Sequence, residues 1–262
     1  MKYPKTTFVL VFLVLSTLWL LIAGREPPRA AVALAPGAAQ RAAGAVLIIG
    51  GTHGSGLGIA KILLARGDAV TVLARPTSDT TELEKLGAVI ERGDAMNAQD
   101  LATAIHSASF RAVISTLGTR GKDRPRPDFI GNRNAVDAAK NAGIHRFVLI
   151  TVIGAGDSAG AEPWLAGRFL KEIIALKTQA EDYLRSSGLQ WTIIRPGGLI
   201  EKSAQGSAVL TADTQAFSWI TRGDLARLTV EALDDPNTVN HIYHAFDPKR
   251  TRFWSLRENG DK

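Results

Sequence analysis

The chain has 262 residues, enough for one domain with a substantial core and short for two. Its 45% apolar and 21% charged residues fit an ordinary globular protein, and the lack of cysteine excludes disulfides, thiolate catalysis and cysteine-held metals. The net charge of +6, with a pI near 9.7, would suit nucleic acid or an anionic surface. No long Lys/Arg block or basic run interleaved with aromatics occurs in the core region, so nucleic acid is not an expected partner.

In chain order, Lys2 and Lys5 precede an uncharged apolar run over residues 6–24. Its 19 residues approach the ~20 needed to cross a bilayer as a helix. The rival is a secretory signal cleaved near Ala33-Leu34-Ala35. A run longer than the usual signal core (~7–15 residues) favours an uncleaved N-terminal anchor over 1–24. Arg25, Arg29 and Arg41 balance the lysines on the other side, so flanking charge leaves the orientation open. Residues 25–44 are rich in Ala, Pro, Gly and Arg without periodicity, and read as a flexible linker.

From residue 45 onward, short apolar runs alternate with amphipathic stretches. The pattern predicts strands over 45–49, 69–74, 88–91, 112–115, 147–151, 191–195 and, less regularly, 241–245. Helices are predicted over 56–66, 80–86, 98–107, 130–142, 164–187 and 221–233. Short apolar strands alternating with helices imply a parallel sheet covered on both faces, a doubly wound α/β domain over 45–247. Residues 248–262 read as a basic tail, with Lys249, Arg250 and Arg252 beside Phe253 and Trp254.

The first strand runs into Gly50-Gly51-Thr52-His53-Gly54-Ser55-Gly56-Leu57-Gly58, which opens directly into a helix. Glycines allow a tight turn and close backbone approach to a pyrophosphate, whose charge the helix N-terminus favours. Strand before, helix after and a second strand at the right distance together give a Rossmann-type dinucleotide site. Arg75 closes the second strand where an NAD-selective domain carries an acid for the ribose 2′-hydroxyl. A guanidinium there suits a 2′-phosphate, so NADP(H) is expected over NAD(H).

The spacing Gly50-x3-Gly54-x-Gly56 resembles the glycine loop of short-chain dehydrogenases/reductases. Further matches point to the atypical NAD(P)H-binding branch, which includes NmrA-like and flavin/biliverdin-reductase-like proteins. These are Leu63-Leu64-Ala65-Arg66-Gly67, Val72-Leu73-Ala74-Arg75, Gly93-Asp94, residues 138–147, Ser187-Gly188-Leu189 and Thr192-Ile193-Ile194-Arg195-Pro196-Gly197-Gly198-Leu199. The resemblance implies a cofactor held by Gly50, Thr52, His53, Gly54, Ser55, Gly56 and Leu57 in the loop. It adds Arg75, then Asp94 and Ala95 near the adenine, and Thr116, Leu117, Gly118, Lys177 and Pro196 toward the nicotinamide.

Typical members of that family use a Ser and a Tyr-x-x-x-Lys pair, the lysine lowering the pKa of a tyrosine one turn away. Here the lysine position is Lys177 and the tyrosine position is Ile173; Thr151 takes roughly the serine place. Isoleucine cannot transfer a proton. Tyr183 lies about 240° round the helix from Lys177 and does not replace it. Lys177 and Thr151 are therefore the catalytic candidates of either an NADPH-dependent reductase of unknown small-molecule substrate or a non-catalytic NAD(P)-binding sensor or scaffold.

His53 in the glycine loop is expected to serve the turn, and His241 with His244 has no acid cluster for a metal, so no metal is expected. Arg222 and Asp224 start a helix in a family motif, Asp224 as its N-terminal charge. Arg120, Lys122, Arg124, Arg126 and Arg133 cluster after the fourth strand, where they could draw in an anion or face water. Because NADPH is a cytoplasmic metabolite, a membrane-anchored protein facing the cytoplasm is expected, with export after signal cleavage as the alternative.

Overall fold

The computed structural model describes residues 31–32, 44–118 and 125–251. The expected anchor over 1–24 lies outside them, as do most of the tail and Arg120, Lys122 and Arg124 of the basic loop. The elements in order are β1 (Ala31–Val32), β2 (Ala45–Ile49), α1 (Gly54–Ala65), β3 (Val70–Ala74), α2 (Thr81–Lys85) and β4 (Val89–Arg92). Then follow α3 (Ala98–Ile105), β5 (Phe110–Ser115), α4 (Ile130–Asn141), β6 (Arg146–Ile150), α5 (Trp164–Arg185) and β7 (Gln190–Pro196). The last are β8 (Gly198–Ile200), β9 (Val209–Thr211), β10 (Trp219–Thr221), α6 (Arg222–Asp234) and β11 (His241–Phe246).

The sheet order is β1-β9-β11-β7-β6-β5-β2-β3-β4. Strands β11 through β4 in that order are parallel, and β9 and β1 add an antiparallel edge. All five residues of β2 are buried, because both faces are covered. Val46 and Ile48 pack with Ile59 and Leu63 of α1 and Leu225 and Leu228 of α6. Leu47 and Ile49, pointing the other way, pack with Leu101 of α3, Val136 of α4 and Leu184 of α5. The fold is the doubly wound Rossmann-like α/β domain that the alternating pattern implied.

Strand order reverses at β2: β3 and β4 lie to one side, β5, β6 and β7 to the other. A crevice therefore opens between the loops after β2 and β5 at the strands' carboxyl ends. The rest of the fold keeps that edge clear. Gly67 ends α1 at φ +85°, with its N–H on the Leu64 carbonyl and the Asp68 N–H on that of Leu63. This closure turns the chain at the far end of the sheet and starts β3 back toward the cleft.

Some expectations need correction. Among the described residues no helix is long and apolar enough to cross a membrane, so the hydrophobic helix expected in front of the domain is not part of the described fold. Ala31 and Val32, within the stretch read as linker, pair with Thr211 and Leu210. The edge of β9 offers unpaired backbone groups, and even a Pro-rich segment can satisfy them over two residues. Helix α1 starts at Gly54 rather than 56, so its first turn is part of the glycine loop. β8, β9 and β10 were not expected, since three-residue strands carry no readable alternation. Of the tail, Pro248–Arg250 forms a single tight turn whose Arg250 is buried against Asp247 at 3.1 Å.

Candidate cofactor site

A cleft of about 450 Å³ runs along the carboxyl ends of the strands. Of the sequence-derived candidates, Gly50, Thr52, His53, Gly54, Ser55, Gly56, Arg75, Asp94, Ala95, Thr116, Leu117, Gly118, Thr151, Lys177 and Pro196 all line it. Leu57 does not. It packs on the core and borders a separate recess with Leu83, because the helical turn after Gly56 rotates it away from the cleft.

The glycine loop is shaped mainly by packing. A Cβ at Gly56 would lie 2.3 Å from the Gly50 carbonyl oxygen, and one at Gly50 would lie 2.8 Å from Thr116 Oγ1. Thr116 also donates its hydroxyl to the Gly50 carbonyl at 3.0 Å, which locks the β2 loop to the end of β5. Gly54, at φ +54°, lies under the Arg222 guanidinium. Helix α1 begins there with no acid in its first turn and no side-chain cap from His53. Such an end attracts an anion.

At the β3 side, Arg75 is exposed and borders the cleft with Ser78. Arg92 at the end of β4 donates to the Arg75 and Ser78 carbonyls at 3.3 and 3.0 Å and so braces this loop. Asp94 both borders the cleft and closes its own turn, accepting the Met96 N–H at 2.9 Å. The Ala95 carbonyl accepts from Asn134 Nδ2 at 3.0 Å.

At the other end Lys177 is buried, its ammonium donating to the Leu117 carbonyl and lying 3.4 Å from Asp128 Oδ1. Burial holds this ammonium below the usual lysine range, against the opposing pull of Asp128 and Glu181. Ile173, one helical turn before Lys177, also borders the cleft. Thr151 does so too, but its hydroxyl donates to Glu181 at 2.6 Å, so its proton is committed to the interior.

A family model described as NAD(P)H-binding matches residues 50–236. The chain belongs to the NAD(P)H-binding family. It is 31% identical over 221 residues to an uncharacterised chloroplastic protein of Arabidopsis thaliana, covering 79% of each. It is 26% identical to an NAD(P)H azoreductase of Xenophilus azovorans, covering 78% of this chain and 68% of the relative. Among solved structures it is similar to ChuY, an anaerobillin reductase from Escherichia coli O157:H7, at 29% identity and a TM-score of 0.71. That match covers 78% of this chain and 97% of ChuY. The expected resemblance is borne out as membership of an NAD(P)H-binding family with structural neighbours in the atypical, biliverdin-reductase-like class, ChuY among them.

These findings also correct the expected location. A membrane-anchored protein facing the cytoplasm is not supported: no described helix is both long and apolar enough to span, and the Arabidopsis relative is chloroplastic.

The residues fit a dinucleotide. The cleft passes from a guanidinium at the β3 end, across an uncapped helix N-terminus, to a buried ammonium beside Leu117 and Gly118. Three elements of this family site escaped the sequence. Asp128, fully buried, pairs with Lys177 but precedes α4 in an ordinary Pro-rich loop. Glu181, one charged residue among many in α5, binds Arg195 of β7 through two hydrogen bonds at 3.0 and 2.6 Å. Arg222 and Glu201 border the cleft above Gly54. Only the helix-starting motif around Arg222 was visible beforehand. Asp224 of the same motif is buried and accepts from the N–H groups of Gln205 and Gly206 and from the Thr221 hydroxyl.

Proposed function

We propose that the protein is an NADPH-dependent reductase of a small-molecule substrate. The observation that carries the cofactor preference is Arg75, a guanidinium closing β3 at the cleft edge beside Ser78, on a loop braced by Arg92. A guanidinium fork there pairs with a ribose 2′-phosphate, whereas an acid would repel it. The family match and the reductases among its relatives support the reaction class.

In this reading the loop over residues 50–56 holds the pyrophosphate, Asp94 and Ala95 border the adenine, and Pro196 borders the far end of the cleft. When bound, the reduced nicotinamide supplies a hydride to the substrate. Lys177 orients the nicotinamide ribose, its own position fixed by Asp128 and the Leu117 carbonyl. Ile173 borders the cleft but offers no proton, and the Thr151 proton is held by Glu181. The proton that completes reduction then comes from solvent or from the substrate. The same Ile173 favours the second reading, a cofactor-binding sensor without turnover.

Titration of the full chain with NADPH and NADH by calorimetry tests both. NADPH should bind at least ~10-fold more tightly, and Arg75→Ala should weaken NADPH while leaving NADH within about twofold. Equal affinities in the wild type would sink the preference. Oxidation of NADPH with quinones, flavins or carbonyls supports the reductase, and tight binding without oxidation of any supports the sensor.

A further inference from the structure

We propose that Arg222 is a second phosphate-binding cation of this cleft, held by Glu201 until the pyrophosphate of the dinucleotide displaces that carboxylate. The proposal rests on the nucleotide reading above and adds a residue and a competing counter-ion to it.

The placement follows from a small piece of topology. Strands β8 and β10 pair in parallel, with Thr221 opposite Ile200. The next residues, Glu201 and Arg222, therefore leave the two strands side by side, and Arg222 Nε donates to Glu201 Oε1. The rest of the guanidinium lies over the glycine loop. A Cβ at Gly54 would be 3.1 Å from Arg222 Nη1 and 3.3 Å from its Cζ, and Nη1 is 3.5 Å from Ser55 Oγ. Glycine at 54 thus leaves room for this side chain.

The electrostatics of this arrangement are incomplete without an anion. Gly54 and Ser55 open α1, whose N-terminus carries partial positive charge and no acid in its first turn. A guanidinium over that end is unfavourable unless an anion is shared between them. Glu201 supplies one, but it is three-quarters exposed, and so exposed a pair is weak and readily exchanged. A pyrophosphate at Gly54 would meet the helix end and the guanidinium fork together.

The base of Arg222 is rigid, so only its side chain has to move. Thr221 caps α6 by accepting the Asp224 N–H at 2.9 Å. A Cβ at Gly223 would fall 2.1 Å from the Ala204 nitrogen, so the turn is packed against residues 203–204. Arg75 and Arg222 then divide the work. Arg75 reads the 2′-phosphate that distinguishes NADPH, and Arg222 binds the pyrophosphate that both nucleotides share.

Calorimetric titration of the full chain with NADPH and NADH, comparing wild type, Arg222→Ala, Arg222→Lys and Glu201→Gln, tests this division. Arg222→Ala should weaken both nucleotides by the same factor, about 10- to 100-fold, the worth of a charged hydrogen-bonded contact. Arg222→Lys should recover part of the loss, and Glu201→Gln should tighten both nucleotides several-fold. Thermal midpoints within a few degrees of wild type establish that the variants are folded. An Arg222→Ala protein that binds both nucleotides within twofold of wild type overturns the proposal alone, as does a Glu201→Gln protein that binds more weakly. A wild-type chain that binds neither nucleotide overturns the nucleotide reading and this proposal with it.

Discussion

Arg195 on β7 and Glu181 on α5 meet as a buried pair, Nε to Oε1 at 3.0 Å and Nη2 to Oε2 at 2.6 Å. The same carboxylate accepts the Thr151 hydroxyl, so one ion pair ties α5 to the ends of β6 and β7 beneath the cleft. Removing one partner leaves a charge inside the protein. Glu181→Ala should therefore destabilise the fold by about 3–5 kcal/mol in urea denaturation, and Glu181→Gln by less, since it keeps a hydrogen-bonding group. Arg195 also donates to the exposed Asp157, so a loss below about 1 kcal/mol for Glu181→Ala would mean that Asp157 alone suffices to hold the guanidinium.

Lys177 and Asp128 should behave as a unit. Lys177→Met leaves a fully buried carboxylate beside an apolar side chain and should cost about 3–5 kcal/mol. The double variant Lys177→Met/Asp128→Asn should recover much of that stability. Fully additive losses in the double-mutant cycle would show that the two groups do not interact.

Gly56 and Gly58 give a paired test of the loop. At 56 a Cβ would lie 2.3 Å from the Gly50 carbonyl oxygen and 2.6 Å from Thr116 Oγ1. Gly56→Ala must push the loop off β5, and should cost about 1–3 kcal/mol together with nucleotide affinity. At 58 the nearest neighbour is the Ala226 Cβ at 3.1 Å, which can yield by a few tenths of an ångström. The helix preference of alanine, about 1 kcal/mol over glycine, should offset that strain. Circular-dichroism melting of the two variants separates the cases, and equal losses would contradict the geometry.

Asp224 links the helix-starting motif to acid stability. Burial pushes its carboxyl up, but hydrogen bonds from the Gln205 N–H, the Thr221 hydroxyl and the Gly206 N–H, with the Arg227 charge, outweigh this and hold it below the usual aspartate range. A lowered folded-state pKa stabilises the fold fully above the unfolded value and loses that contribution as pH falls through the folded value. Asp224→Asn should therefore be less stable than wild type near neutral pH, and the gap should narrow below about pH 4. A gap that stays constant down to about pH 3 would exclude the linkage.

The parallel sheet and the glycine loop were legible because their causes are local. Runs such as 45–49 are apolar throughout since both faces of a covered strand are buried, and a loop that must turn sharply between strand and helix shows its glycines. Arg75 could likewise be read from its position at the end of a recognisable strand. The edge of the sheet was not legible. β8, β9, β10 and the pairing of Ala31–Val32 are each two or three residues long, and what makes them strands is a neighbour supplying hydrogen-bond partners.

The charged interior belongs to tertiary structure for a related reason. Glu181 with Arg195 and Asp128 with Lys177 are brought together across 14 and 49 residues by crossover connections. Nothing in the local pattern distinguishes these acids from surface ones. Thr151 illustrates the result: its sequence position gave it a hydroxyl at the cleft, and only the packing of α5 on the sheet decided that Glu181 takes the proton. Apolar burial is written residue by residue along the chain, whereas the partner of a buried charge exists only once the folded backbone has brought the two together.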